Sequence, residues 1–141
     1  MTALQNFTDF EKNAFGLKGQ KIMTEDTIDI TALAKLKDVI GGDMEDLKEL
    51  INDFIASVPA QIAKMQTEVD NQDWAALRIA SHSCKSNGRD MGATALTALC
   101  AELELQCKNG VPVDPAAQIA AIETAAQNAA NALTALDLAN V

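Results

Sequence analysis

Residues 71–110 read NQDWAALRIASHSCKSNGRDMGATALTALCAELELQCKNG, and this stretch decides the fold. Its apolar residues recur at the three- to four-residue spacing of an amphipathic helix. They form one run before Gly92, made of Leu77, Ala80, Cys84 and Met91, and a second run after it, made of Leu96, Leu99, Cys100, Leu103 and Cys107. Because glycine often interrupts a helix, the stretch predicts two helices that meet at Gly92.

Further helices are predicted on both sides of this pair. Residues 30–40 have helical spacing and are followed by two glycines, and residues 43–69 form a longer run in which Pro59 is expected to kink or divide the helix. After the pair, Asp114-Pro115 is a strong helix start. Helices with short connections usually pack as antiparallel neighbours, so we predict an all-α, up-down antiparallel four-helix bundle.

The beginning of the chain is predicted to add one or two extra N-terminal helical segments to this bundle. Leu4, Phe7 and Phe10 have the spacing of a short helix. We therefore assign residues 1–26 to an N-terminal extension that has room for a short helix, and residues 27–141 to the bundle domain.

Composition and charge narrow the class of protein. Hydrophobic residues make up 48% of the 141 residues and tyrosine is absent, which favours a helical globular domain. The formal net charge of −9 disfavours binding to nucleic acids and to anionic membranes, because both carry negative charge. No apolar run approaches the ~20 residues that span a bilayer, and the first residues do not resemble a secretion signal. We therefore expect a cytoplasmic protein that binds neither nucleic acid nor membrane.

The three cysteines, Cys84, Cys100 and Cys107, lack a CxxC pair. In a cytoplasmic protein this pattern is more typical of small buried apolar residues than of disulfides or metal ligands. The single histidine and the absence of an HxxxH motif likewise predict no metal site.

That histidine, His82, lies on a charged helix face. At about 100° per residue, the residues that project to its side are polar or basic and oppose the apolar stripe: Arg78, Lys85, Ser86 and Arg89. Between Lys64 and Lys108 the only basic residues are Arg78, Lys85 and Arg89, so an anion is expected to bind at this face. A neutral imidazole is a competent nucleophile near pH 7. Ser86 and Gly88 are small, which would leave room for the surface of another protein.

Less specific explanations stay open at this point. A surface histidine is usually only solvated, and so is a cluster of basic residues on a helix. Cys84 projects to the opposite face from His82, so the two do not form a catalytic dyad.

Residues 80–104, ASHSCKSNGRDMGATALTALCAELE, resemble the histidine phosphotransfer (HPt) domain of multistep phosphorelays. In this resemblance His82 matches the phosphoacceptor and Lys85 the lysine three residues later. Residues 91–93 match the apolar-Gly-Ala end of the motif, and the next helix matches at Leu96, Cys100, Leu103 and Glu104. The departures are conservative: Ser81 stands in place of alanine, Cys84 of leucine and Ser86 of glycine.

The resemblance implies a phosphocarrier and not a kinase, and the sequence has no glycine-rich phosphate loop. It implies that His82 exchanges a phosphoryl group with the aspartate of a receiver domain, in a response regulator or a hybrid sensor kinase. Lys85 would neutralise the phosphoryl oxygens, and Arg78, Ser86 and Arg89 would assist binding or docking. Ile79 is expected on the docking face. The chain would bind no cofactor itself, the Mg²⁺ would come from the receiver, and the protein would be a monomer.

Two other classes of function remain as alternatives. The first is a non-phosphorylated helical module that sequesters a receiver or kinase domain. The second is an enzyme that uses Cys84 or His82 as a nucleophile, although the sequence offers no positioned third group for it.

Overall fold

The computed structural model describes residues 28–141. Five α-helices follow one another in this part of the chain, before a short 3-10 helix at Leu138–Asn140: α1 (Ile30–Val39), α2 (Met44–Asp70), α3 (Trp74–Asp90), α4 (Thr94–Asn109) and α5 (Pro115–Ala135). Helices α2 to α5 form a bundle in which each helix contacts the next and α5 returns to α2. The shorter α1 packs against α2 and α3. The prediction of an all-α four-helix bundle with an extra N-terminal helix is confirmed, while the predicted extension at residues 1–26 lies outside the described residues.

Aspartates fix the starts of four helices. Asp29, Asp43, Asp73 and Asp114 are the N-caps of α1, α2, α3 and α5, and each carboxylate accepts a hydrogen bond from a backbone N–H of the first turn. An N-cap of this kind satisfies a donor that the helix itself cannot, and it contributes about 1 kcal/mol. The predicted starts at Asp43 and Asp114-Pro115 are therefore confirmed.

Pro59 does not divide α2, contrary to one of the two outcomes predicted for it. The helix runs without interruption from Met44 to Asp70. Phe54 and Ile62 are buried in the core on either side of the proline. This packing holds both halves of α2 against the bundle, and it outweighs the loss of one backbone hydrogen bond.

The core runs along the centre of the bundle. Its largest side chains that are almost fully withdrawn from solvent come from all five helices: Leu33, Leu47, Met65, Leu77, Leu96, Leu103, Ile119 and Ile122. Fully burying one such side chain stabilises a fold by about 1.5–3 kcal/mol. No helix within residues 28–141 combines the length and the apolar character needed to cross a membrane.

The turn between α3 and α4 is tied to the start of α1. Gly92 has a positive φ of 73°, and its carbonyl accepts a hydrogen bond from the Asp29 N–H at 2.8 Å. Ile28 and Ala93 form an isolated backbone bridge beside it. A Cβ at Gly92 would collide with the Asp29 carbonyl oxygen, so glycine is required both for the backbone angle and for space. This tie fixes the end at which α3 turns into α4.

Candidate functional site

Helices α3 and α4 share the most extensive contact in the bundle. At Gly88 the two helices pack tightly, since a Cβ there would lie 2.9 Å from Thr97 Oγ1 on α4. Nearer the start of α3, the side chains of His82 and Lys85 reach Glu104 on α4. The antiparallel packing of these helices therefore brings together residues that are 22 positions apart in the chain.

His82 lies on the outer face of α3, where 59% of its side chain is exposed. Its Nδ1 is 2.8 Å from Glu104 Oε2. An ionised carboxylate only accepts hydrogen bonds, so the Nδ1 of the neutral ring is the protonated nitrogen and donates to Glu104. In that tautomer the lone pair is on Nε2, the nitrogen on the far side of the ring. Glu104 thus fixes both the orientation of the imidazole and the nitrogen that can act as a nucleophile.

Lys85 is held by the other oxygen of the same carboxylate. Its Nζ donates to Glu104 Oε1 at 2.7 Å, and both side chains are half-buried, with 23% and 18% exposed. The hydrogen bond from Lys85, together with the weaker effect of His82, holds the pKa of the Glu104 carboxyl below its ordinary value, although burial acts in the opposite direction. One anion therefore places a nucleophile and a cation side by side.

The other predicted site residues divide by distance from His82. Arg78 and Ile79 are exposed on the turn of α3 that precedes His82, and Ser86 is half-buried on the turn that follows it. Arg89 is also exposed, but seven residues of helix put it about 10 Å further along the axis. There it lines a groove with Lys35 and Leu36 of α1. Arg78, Ile79 and Ser86 thus surround the histidine, and Arg89 belongs to the next part of the surface.

Gly88 differs from its prediction. It was expected to leave room at the exposed face, but it is buried and faces Leu96 and Thr97 of α4. Its small size serves the contact between two helices of this chain, and it is not available for contact with a partner.

Glu104 is the site residue that the reasoning from charge and spacing missed. It lies on a different predicted helix from His82, and helical projection compares residues of one helix only. The one signal for it in the sequence was the match of Leu103 and Glu104 to the second helix of the HPt pattern.

The cysteines take no part in this site. Cys84 and Cys100 are buried and Cys107 is half-buried, and all three are free thiols. The prediction that they occupy apolar positions is confirmed for the first two. Among residues 28–141, no group of three or more His, Cys, Asp or Glu side chains is arranged to hold a metal ion.

Comparison with known proteins identifies the family. The model of the Hpt domain family matches residues 49–132, which is more than half of the chain and includes His82, Lys85 and Glu104. Neither the curated proteins nor the solved structures gave a match. Hpt domains are helical bundles with a phosphotransfer role in phosphorelays, where they interact with receiver domains. The chain belongs to the Hpt domain family.

Proposed function

We propose that this protein is a histidine-containing phosphotransfer protein that shuttles a phosphoryl group between receiver-domain aspartates through Nε2 of His82. The observation that carries the proposal is the shared carboxylate of Glu104, which holds an exposed imidazole through Nδ1 at 2.8 Å and the Lys85 ammonium at 2.7 Å. A ring held in this way presents a nucleophilic nitrogen to solvent with a cation beside it. Both features are what the acceptance of a phosphoryl group requires.

The transfer is a displacement at phosphorus. The Nε2 lone pair forms a bond to the phosphorus of an aspartyl phosphate, and the bond from phosphorus to the carboxylate oxygen breaks, with its electron pair leaving on the aspartate. Nδ1 keeps its proton, so the ring becomes positively charged as the N–P bond forms. Glu104 Oε2, 2.8 Å from Nδ1, stabilises that charge where it develops. Transfer to a second receiver is the same step in reverse.

Lys85 neutralises the oxygens of the phosphoryl group. It is three residues from His82 on α3, so the two side chains are neighbours on one face of the helix. Arg78 adds positive charge on the preceding turn, and Ser86 can donate a hydrogen bond on the following one. Arg89 contributes to docking and not to the chemical step, because of its distance from His82.

The partner is the receiver domain of a response regulator or of a hybrid sensor kinase. Its docking surface surrounds the exposed histidine and includes Ile79, whose side chain is 61% exposed. The receiver supplies the Mg²⁺ of the reaction, and this chain acts as a carrier without an ATP site of its own. Its cytoplasmic location and monomeric state stay predictions from the sequence.

The test mixes the full chain with Mg²⁺ and a receiver domain that carries a labelled phosphoryl group. We expect label on the wild-type protein that is labile in acid and stable in alkali, and no label on His82→Gln. Since His82 is exposed, a thermal melt should show that this variant folds normally. If several different receivers bind the wild-type protein without labelling it, the proposal is wrong and the module only sequesters its partner.

The same assay tests whether Lys85 contributes to phosphoryl transfer more than another surface lysine does. Lys85→Ala keeps the acceptor nitrogen, and we expect it to slow labelling at least about tenfold, which is ~1.4 kcal/mol in the barrier. Lys48 of α2 is a matched control, because it pairs with Glu45 at 3.2 Å but lies beside the C-terminal residues of the chain. Lys48→Ala should label at the wild-type rate.

A further inference from the structure

A groove of about 680 Å³ lies between α1 and the first half of α4. Its apolar walls are formed by Ala32, Leu36 and Val39 on α1 and by Ala98 and Ala101 on α4. Val39 is 83% exposed although its side chain is apolar. The volume is that of a pocket that takes a small ligand or a few side chains, and not of the large interface that a second globular copy would need. The groove therefore offers apolar surface that a short segment can cover.

The chain enters the described fold at this groove. Ile28 is the first described residue, and its backbone forms the bridge with Ala93 at the start of α4. Its neighbour Asp29 lines the groove itself. Thirteen residues separate Phe15 from Ile28 and can span at most about 45 Å, whereas α1 is only about 15 Å long. The residues before Ile28 can thus reach any part of the groove, at an effective concentration in the order of millimolar.

Residues 2–15, TALQNFTDFEKNAF, contain apolar side chains that suit this surface. Three of the four phenylalanines of the whole chain lie here, at positions 7, 10 and 15. Projected at about 100° per residue, Leu4, Phe7, Phe10 and Glu11 all fall within roughly 60° of one direction, and Asp9 projects to the opposite side. The apolar face of this segment therefore includes one carboxylate, Glu11.

The charges that line the groove match that carboxylate. Lys35 of α1 and Arg89 of α3 are both exposed and both line the groove. Asp29 and Asp90 line it as well, yet within residues 28–141 neither cation is paired with a carboxylate. Glu11 is thus the acidic residue of the apolar face that these cations can receive.

We propose that residues 2–15 bind in this groove of their own chain as an amphipathic helix, with Phe7 and Phe10 against the apolar walls and Glu11 beside Lys35. In this position the segment lies next to Arg89 and borders the surface on which His82 is exposed. The inference rests on the groove, the entry point of the chain and the pattern of residues 2–15, and it does not depend on the proposed phosphotransfer.

The experiment measures amide hydrogen exchange of residues 2–15 in the full chain, by mass spectrometry. A synthetic peptide of residues 1–16 gives the reference rate, because an isolated helix of 14 residues is marginal in water. We expect exchange at least about tenfold slower in the full chain than in the peptide. Glu11→Lys should return the exchange close to the peptide rate, whereas Asp9→Lys, the same change on the opposite face, should keep the wild-type rate.

A second pair of variants tests the groove. Ala98→Glu places a carboxylate in the groove, so it should also return the exchange of residues 2–15 close to the peptide rate. Ala120→Glu is the matched control on α5 and should have no effect. Both alanines are exposed, so both variants should fold, which a thermal melt checks.

Three results would overturn the proposal. The first is exchange of the wild-type segment at the peptide rate. The second is slow exchange that survives Ala98→Glu, because the segment would then bind elsewhere. The third is slow exchange that is lost on dilution, since the groove would then be filled by a second copy. Slow exchange that survives Glu11→Lys alone would overturn the placement of Glu11 beside Lys35.

Discussion

The two faces of α3 place different demands on the same helix. The outer face carries Arg78, His82 and Arg89, all exposed. On the inner face Leu77 and Cys84 are almost completely buried, at 0% and 4% exposure. The outer residues can be reached by a partner, whereas the inner ones contact only other parts of this chain.

The inner face nevertheless sets the geometry of the outer one. His82 is held by Glu104, which belongs to α4, and the position of α4 depends on the packing of Gly88 against Thr97 and Leu96. A change on the inner face should therefore act mainly on stability, and a change on the outer face mainly on transfer. Residues at the junction of α3 and α4 should show both effects.

The largest effect on stability is expected at Leu77. Leu77→Ala removes a side chain that is completely buried and leaves a cavity, so the free energy of unfolding should fall by about 2–5 kcal/mol. Ile79→Ala, two residues further along, removes a side chain that is 61% exposed and should change it by less than about 0.5 kcal/mol. Urea denaturation measures both.

Labelling by a receiver completes this comparison. At a temperature where both variants are folded, Leu77→Ala should accept the phosphoryl group at the wild-type rate, and Ile79→Ala should be slower if Ile79 is part of the docking surface. A wild-type rate for Ile79→Ala would remove Ile79 from that surface, and equal losses of stability would contradict the division into two faces.

Much of this division could be predicted from the sequence, because it depends on local patterns. The three- to four-residue spacing of Leu77, Ala80 and Cys84 identified the buried face of α3, and His82 followed as an exposed residue. Asp43 and Asp114 marked helix starts because capping involves only the first turn. The positions of the bundle helices along the chain could therefore be predicted from patterns that span only a few residues.

The parts that could not be predicted depend on contacts between helices. Gly88 is small, so the sequence suggested that it leaves space for a partner at the surface. Only the position of Thr97 on α4 shows that this space is filled by the chain itself. By charge and helical spacing alone, Glu104 cannot be distinguished from Glu102, which is exposed two residues earlier. Pro59 is a third case, since the packing of Phe54 and Ile62 decides whether α2 continues through it.

A smaller effect, of about 1–2 kcal/mol, is expected from Gly88→Ala. In a helix interior alanine is more favourable than glycine by about 1 kcal/mol, but the new Cβ would lie 2.9 Å from Thr97 Oγ1. Thr97 cannot move freely, because its hydroxyl donates to the Ala93 carbonyl at 2.8 Å. The variant should therefore be less stable than the wild-type protein, through overpacking and the loss of that hydrogen bond.

A double-mutant cycle tests this cause. In a Thr97→Ala background the obstructing oxygen is gone, so Gly88→Ala should be neutral or stabilising by up to about 1 kcal/mol. Denaturation of the four proteins gives the coupling between the two positions. An equal loss in both backgrounds would mean that the contact of Gly88 with Leu96, and not with Thr97, limits the approach of the helices.

A loss of stability below about 1 kcal/mol is expected where the two faces meet, at Glu104. Its carboxyl has a pKa held below the ordinary value of 4.5, chiefly by Lys85, so its charge stabilises the folded state above that pH. As the pH falls through the lowered pKa, the carboxyl is protonated and this stabilisation is lost. Glu104→Gln keeps a hydrogen-bond acceptor without the charge, so it should be less stable than the wild-type protein at pH 7, and the difference should shrink below pH 4.5.

Denaturation at several pH values, with Glu102→Gln as the control on the same helix, measures this difference. Glu102 is exposed and pairs only with Gln106 among the contacts described for it, so its variant should follow the wild-type protein throughout. At pH 7, Glu104→Gln should also accept the phosphoryl group more slowly, because an amide stabilises the positively charged ring less than a carboxylate does. A variant that loses stability but transfers at the wild-type rate would show that Glu104 only joins α3 to α4, and the orientation of His82 would then have to come from the helix alone.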